Sequence, residues 1–263
     1  MVMSLRTVIQ SAARIGMATL LVAGMTGSPA GAEESYKVFM DPLPPLSNSD
    51  GSGLGPSLLS AAGKLGDIKF TFEVGTFSRG LADLRDRKID VLLYTANKQE
   101  APEFYETSQE ADWTLPARFD LFYVNDAVLQ KLEAAKKGEP TDLTIATALG
   151  NKELMASVLG IDPKYLTEKS IDILPKMLSA NRIDGIAFEM TSVYNYIKSD
   201  GVKNVKHKML HDELMLLSMG LQKSPKGDQF KGKLKELFAK VDTNAIFADY
   251  MKLIKLPPTG VVN

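Results

Sequence analysis

The chain has no cysteine, only two histidines and a single tryptophan. Without cysteine there is no disulfide framework, no thiolate metal site and no thiol nucleophile. Two histidines leave little for a histidine-rich metal centre or a Ser-His-Asp arrangement. A surplus of one charge is lacking as well: 31 basic residues face 32 acidic ones, a formal net charge of −1. Nucleic acid or an anionic membrane would call for a basic excess, so neither is an expected partner. What is present is ordinary globular material, 44% hydrophobic and 24% charged over 263 residues. That length admits one large domain or two small ones.

The first segment reads as an export signal. Arg6 and Arg14 make a basic start, and no acidic residue precedes Glu33. Ile15–Met25 is apolar or small throughout, Gly27-Ser28-Pro29 breaks the run, and Ala30-Gly31-Ala32 is a small-x-small cleavage site. The apolar run is about half the ~20 residues needed to span a bilayer. Residues 1–32 are therefore expected to be removed and the product to be periplasmic, with no cysteine available for a lipid anchor.

Beyond the leader, strand and helix patterns alternate. Tyr36–Met40 is β-prone and stops at Asp41-Pro42-Leu43-Pro44-Pro45. Ser57–Leu65 has a helical apolar face, Ile68–Val74 alternates as a strand, and a helix is expected from Ser78 to about Lys88. Asp90–Tyr94 suits a strand buried on both faces. The second half repeats the theme: strand Leu143–Thr147, helix Asn151–Leu159, and helix Ile171–Ala180 despite Pro175. Then follow strand Gly185–Phe188, helix Thr191–Lys198 and strand Val205–Leu210. The C-terminal stretch, from Phe230 to Ile254, is helical in pattern and stops at Pro257-Pro258. This order is that of α/β units with mainly parallel sheets. Ala117–Val124 and Leu214–Leu221 are the two segments expected to cross between halves.

Several chemical motifs fail on inspection. His207 and His211 are four apart on or just beyond a strand, a span of about 13 Å, too far for one ion. Gly51–Gly55 is glycine-rich but lies well after its strand, so it is no phosphate cradle. Asn48, Asp50 and Gly51 echo a calcium loop whose end carboxylates are replaced by Leu46 and Ser57. Ser78 is displaced by one position from a GxSxG elbow. No metal and no cofactor are expected. What remains is a binding site beyond the carboxyl ends of parallel strands. On that rule one wall holds Asp41, Leu46, Thr76, Phe77, Arg79, Tyr94 and Asn97. The other holds Ala148, Gly150, Asn151, Glu189 and Met190. Trp113 is either a stacking platform for a ligand or a buried structural aromatic.

The sequence also resembles the periplasmic solute-binding proteins of ABC transporters, in the branch that binds polar amino acids. Its pieces occur in that family's order: the first strand followed by Pro44-Pro45, the loop Asp50-Gly51 to Gly53-Leu54-Gly55, and Leu84 with Lys88-Ile89-Asp90. Tyr105 with Thr107-Ser108, Arg182-Ile183-Asp184-Gly185 and Lys223-Ser224-Pro225 continue it. The resemblance implies the two-lobed type II periplasmic-binding fold, each lobe a mainly parallel sheet flanked by helices. Residues 33–120 and 216–263 would form lobe one, and 121–215 lobe two. It departs in two places. The stretch Thr95–Pro102 lacks the arginine that usually grips a ligand carboxylate, and Leu46 replaces an aromatic. By resemblance to divergent relatives Arg79 is the candidate substitute, and Glu189 stands where an aspartate often binds an ammonium group.

The expected function is a monomeric, non-enzymatic receptor. It would close two lobes on a small polar or zwitterionic solute and deliver it to an inner-membrane ABC permease. Its expected contacts are Asp41, Leu46, Phe77, Arg79, Tyr94, Asn97, Trp113, Asn151 and Glu189, with Arg79 and Glu189 facing each other. Two alternatives share the architecture: a dehydratase or lyase using Glu189 with Arg79, and a binding module serving a sensor or a periplasmic redox enzyme. Intact-mass measurement of periplasmic protein is expected to show a chain beginning at Glu33; a retained apolar leader would contradict export.

Overall fold

The computed structural model describes residues 34–99 and 101–262. The expected leader and its cleavage site lie outside these residues. The chain begins with β1 (Glu34–Met40), α1 (Leu54–Gly66), β2 (Ile68–Val74), α2 (Phe77–Arg85) and β3 (Val91–Ala96). β1 pairs in parallel with both β2 and β3. β2 is the edge, and its alternation follows: Lys69, Thr71 and Glu73 are exposed while Phe70, Phe72 and Val74 are half-buried. β3 is central, so it is apolar and buried on both faces. α1 buries Leu58, Leu59 and Ala62 and ends with Asp67 in the left-handed region, one residue beyond the glycine expected to stop it. α2 lies close on the sheet because Gly80 has no Cβ. An added one would sit 2.6 Å from Leu92 Cδ1 and 2.7 Å from Phe39 Cδ1.

After α3 (Phe104–Thr107) and β4 (Ser108–Glu110), the chain forms β5 (Leu115–Ala117) and β6 (Phe119–Tyr123). β5 belongs to the first sheet, whereas β6 opens the second. The change of sheet therefore occurs at Arg118. The second sheet holds β7 (Ile145–Ala148), β8 (Leu166–Lys169), β9 (Gly185–Glu189) and β10 (Lys206–Met209), flanked by α4 (Ala127–Lys136), α5 (Lys152–Leu159), α6 (Leu174–Ser179) and α7 (Met190–Ser199). β7 runs parallel to β8 and β9. β11 (Met215–Gln222) returns to the first sheet, antiparallel to β3, β4 and β5. Each sheet thus has a parallel run of three strands, extended by antiparallel strands that arrive from the crossings.

Two expectations are corrected. The helix expected through Pro175 is a 3₁₀ turn, Ile171–Ile173, followed by α6 with Pro175 in its first turn. Proline has no N–H to lose there, so it starts the helix instead of kinking it. Residues 216–263 are expected in the first lobe. α8 (Pro225–Phe238) does pack on α1 and β11, and α9 (Thr243–Ile246) on α1. α10 (Ala248–Ile254), however, packs on α7, and β12 (Thr259–Val261) pairs antiparallel with β10 in the second sheet. β12 carries no apolar pattern because all three of its residues are exposed. Backbone pairing and the bond from Val262 N to Val205 O, 2.8 Å, hold it.

The crossing point is pinned by a charged cluster. Arg118, Asp120 and His207 are all buried. Arg118 grips Asp120 with both arms, at 2.7 Å and 2.8 Å. Its remaining donors reach the carbonyls of Leu256 and Pro257, and His207 Nδ1 lies 2.8 Å from Asp120 Oδ2. His207 is thus a structural partner of a carboxylate within the core. Replacing Arg118 by methionine would leave Asp120 buried without its main counter-charge. Urea titration is expected to show a loss of about 3–5 kcal/mol; a change under about 1 kcal/mol would mean the cluster is energetically idle.

Candidate functional site

The parallel strands of both sheets aim their carboxyl ends at one cavity of about 190 Å³. Asp41 follows β1, Phe77 follows β2, and Tyr94, Thr95 and Ala96 end β3. From the second sheet come Asn151 after β7, Phe188 and Glu189 at the end of β9, and Phe119 at the start of β6. The two walls touch. Gly150, at φ +81°, sits in the turn between β7 and α5, where a Cβ would lie 3.0 Å from the backbone nitrogen of Ser78 at the start of α2.

The two carboxylates in the lining differ in how they are satisfied. Glu189 caps α7. Its oxygens accept from the backbone N–H groups of Thr191 and Ser192 at 3.1 Å and 2.8 Å, and from both hydroxyls at 2.7–3.0 Å. Burial pushes its carboxyl up, and the bonds from Ser192 and Thr191 pull against that. Asp41 has no such set. It is 4% exposed, and its Oδ1 has no hydrogen-bond partner. Burial raises its carboxyl to about 7, against the pull of its own backbone and of a side-chain hydrogen bond from Asn151.

Tyr94 is held in an unusual conformation. It has φ +60° and occupies a β-bulge, since Leu93 and Thr95 face Met219 and Ser218 while Tyr94 has no opposite number. The bulge turns its ring across the sheet end, and its hydroxyl donates to the carbonyl of Leu46 at 2.8 Å. Gly55 makes room for this. A Cβ there would lie 2.0 Å from the Tyr94 hydroxyl.

Of the nine expected contacts, Asp41, Phe77, Tyr94, Asn151 and Glu189 line the cavity. The other four do not. Leu46 is core, fully buried, and serves Tyr94 through its carbonyl. Asn97 ties the end of β3, donating to Leu216 O at 3.2 Å and accepting from Gln99 N at 2.8 Å. Trp113 packs 6.3 Å and 6.0 Å from the rings of Phe238 and Phe247. Arg79 does not face Glu189. Its side chain is 56% exposed and binds Glu73 and, at 3.2 Å, Asp83. The reason is helical phase. Phe77 and Leu81, four apart, share the cavity-facing side of α2, which turns Arg79 away toward Asp83 at i+4. The residues that sequence reasoning missed are mostly apolar: Leu43, Leu81, Phe104, Phe119, Phe188 and Leu217. In sequence they are indistinguishable from core.

No protein-family model matches the sequence, and no curated protein matches it. Solved structures do match in shape. A histidine-bound substrate-binding protein of an ABC uptake transporter from Streptococcus pneumoniae superposes with a TM-score of 0.66 at 15% identity, over 85% of this chain and 93% of that one. The ligand-binding core of GluR0 with L-glutamate gives 0.61 at 12% identity, over 85% and 100%. A histidine-kinase sensor domain similar to periplasmic binding proteins gives 0.60 at 16% identity, over 88% and 99%.

The buried Asp41 makes stability depend on pH. Its ordinary value is 3.8 and its folded value about 7. Between these the unfolded chain has lost a proton that the folded chain keeps, so stability falls as pH rises through this window and levels off above it. Chemical denaturation of the ligand-free protein from pH 4 to pH 7.5 is expected to show a loss on the order of 4 kcal/mol more than in Asp41→Asn. Parallel profiles for the two proteins would contradict the burial of an unpaired carboxyl. At low identity the superpositions speak to architecture, and that architecture is the two-lobed periplasmic-binding-protein fold.

Proposed function

We propose that the chain is a periplasmic receptor that encloses a small solute between two lobes and presents the closed form to an inner-membrane ABC permease. The observation that carries the reading is the cavity between the strand ends of both sheets, whose lining includes Asp41, a buried carboxylate with one oxygen, Oδ1, that has no hydrogen-bond partner. A solute touching both walls would stabilise the form in which they approach each other over the form in which they are apart. The chain passes between the two sheets at Arg118, between β10 and β11, and a third time between β11 and β12. Neighbouring folds named as bound to histidine, arginine or glutamate support a solute of this size class. The sensor-domain neighbour makes a signalling partner the competitor to a permease.

An acid–base enzyme is less well supported, because Glu189, the carboxylate expected to act, is already saturated by four donors of its own helix. Extraction of the purified protein and mass spectrometry are expected to recover a small solute, unchanged after prolonged incubation with fresh protein. Adding it back at 100 times its dissociation constant should stabilise the fold by about 2.7 kcal/mol and reduce the radius of gyration in solution scattering. Gly150→Val should weaken binding about tenfold or more, since that position has φ +81° and faces Ser78. A scattering profile indifferent to every recovered solute would overturn the receptor reading, and chemical conversion of the solute would favour the enzyme.

A further inference from the structure

The cavity's charge inventory is one-sided. Among its described lining residues none is lysine, arginine or histidine, while two are buried carboxylates. Glu189 has its donors within α7, and Asp41 Oδ1 has none. Apart from Thr95 and Asn151 the rest of the lining is mostly apolar, and Phe77, Tyr94, Phe104, Phe119 and Phe188 give it five aromatic rings. Arg79, the arginine that sequence reasoning offered to a ligand carboxylate, is committed to Glu73 and Asp83 outside the cavity.

We infer that the solute is a small protonated amine that places its N–H donors on Asp41, fills the cavity with an apolar body, and carries no carboxylate. The inference rests on the receptor reading above and narrows it to a chemical class. A carboxylate brought in beside Asp41 and Glu189 would be desolvated without a counter-charge, which costs several kcal/mol. A neutral hydroxyl would give Asp41 a hydrogen bond but would bring no opposite charge to a buried carboxylate whose surroundings hold no basic side chain. Aromatic faces add attraction for a cation once water is excluded. A quaternary ammonium would meet the rings yet leave Asp41 Oδ1 without a donor. The volume of about 190 Å³ is slightly larger than the roughly 150 Å³ that takes up benzene in an apolar cavity. A five-carbon alkyl chain or one aromatic ring with an amino group is the matching size.

An amine docked on Asp41 also has a proton signature. At pH 6 the empty site holds a proton on Asp41, whose carboxyl sits at about 7. An ammonium ion stabilises the ionised form, so binding expels that proton.

The test uses the mature chain and six probes: 3-methylbutylamine, benzylamine, leucine, phenylglycine, 3-methylbutanol and tetramethylammonium. Calorimetry and thermal shift are expected to show both primary amines binding at least tenfold more tightly than the other four. Asp41→Asn should reduce amine affinity by thirtyfold or more. At pH 6, titrations in buffers of different ionisation enthalpy should show close to one proton released per amine bound to wild type and none in Asp41→Asn. If leucine or phenylglycine binds as well as its decarboxylated partner, the amine class is wrong while the receptor reading stands. Equal binding of tetramethylammonium, or amine binding with no proton released, removes Asp41 from the contact and overturns the inference. Failure of both amines to bind at millimolar concentration overturns it as well. The receptor reading falls separately, if no solute recovered from the protein closes the cleft.

Discussion

The buried grip of Arg118 on Asp120 is the interaction on which the architecture depends. Arg118 stands at the residue where the chain leaves β5 of the first sheet for β6 of the second. A guanidinium in an apolar interior must satisfy its donors locally, because water cannot. It does so with Asp120 from β6 and the carbonyls of Leu256 and Pro257 just before β12, and Asp120 in turn bonds His207 of β10. One side chain thereby gathers the outgoing crossing, the neighbouring strand and the returning C-terminus. The bidentate fork also fixes orientation, which a lysine in its place would not do. Gly260 of β12 packs directly beneath His207, where a Cβ would come within 2.7 Å of Nε2. The end of the chain is therefore bound to the crossing, on the side of the second sheet where α10 also packs, and away from α1, which holds α8 and α9.

With the crossing held, the strand ends of the two sheets meet, and electrostatics shapes what they enclose. Both carboxylates there are fully buried, but their surroundings differ. Glu189 spends its lone pairs on the first turn of α7, where the free N–H groups of a helix start favour negative charge. It is a structural carboxylate that borders the cavity. Asp41 follows a strand instead of opening a helix, and one of its oxygens is left without a donor. An unsatisfied buried acceptor is a standing cost to the empty closed state. It lowers the stability of that state and raises the reward for a ligand that brings a donor.

The shapes this chain matches include receptors with bound histidine and glutamate. Shape alone does not transfer the ligand, since function resides in side chains placed on a fold. Here the placement turns on the phase of one helix. Phe77 and Leu81 take the inward face of α2, and Gly80 lets that face lie against Phe39 and Leu92. Arg79 is left to the outside. The inferred amine follows from this placement: the described lining holds two carboxylates and no basic side chain.

Much of the fold was legible in the sequence because periodicity reports burial directly. The alternation of Ile68–Val74, the apolar run after Asp90 and the helical stripe Leu58, Leu59 and Ala62 each match a single element. The strand-end rule found Asp41, Phe77, Tyr94, Asn151 and Glu189, since a strand's carboxyl end is a local property. Three things were decided only in three dimensions. The pairing of β12 leaves no trace in its three exposed residues, because a backbone ladder needs no side-chain pattern. The direction of Arg79 was set by the phase at which α2 packs on the sheet, which turns it toward Glu73 and Asp83. The contrast between a satisfied Glu189 and an unsatisfied Asp41 is likewise invisible in sequence, where both are acidic residues beside apolar runs. Sequence determines which groups can be charged and which face is apolar; whether a buried charge finds its partner depends on distances across the chain, and these exist only once it has folded.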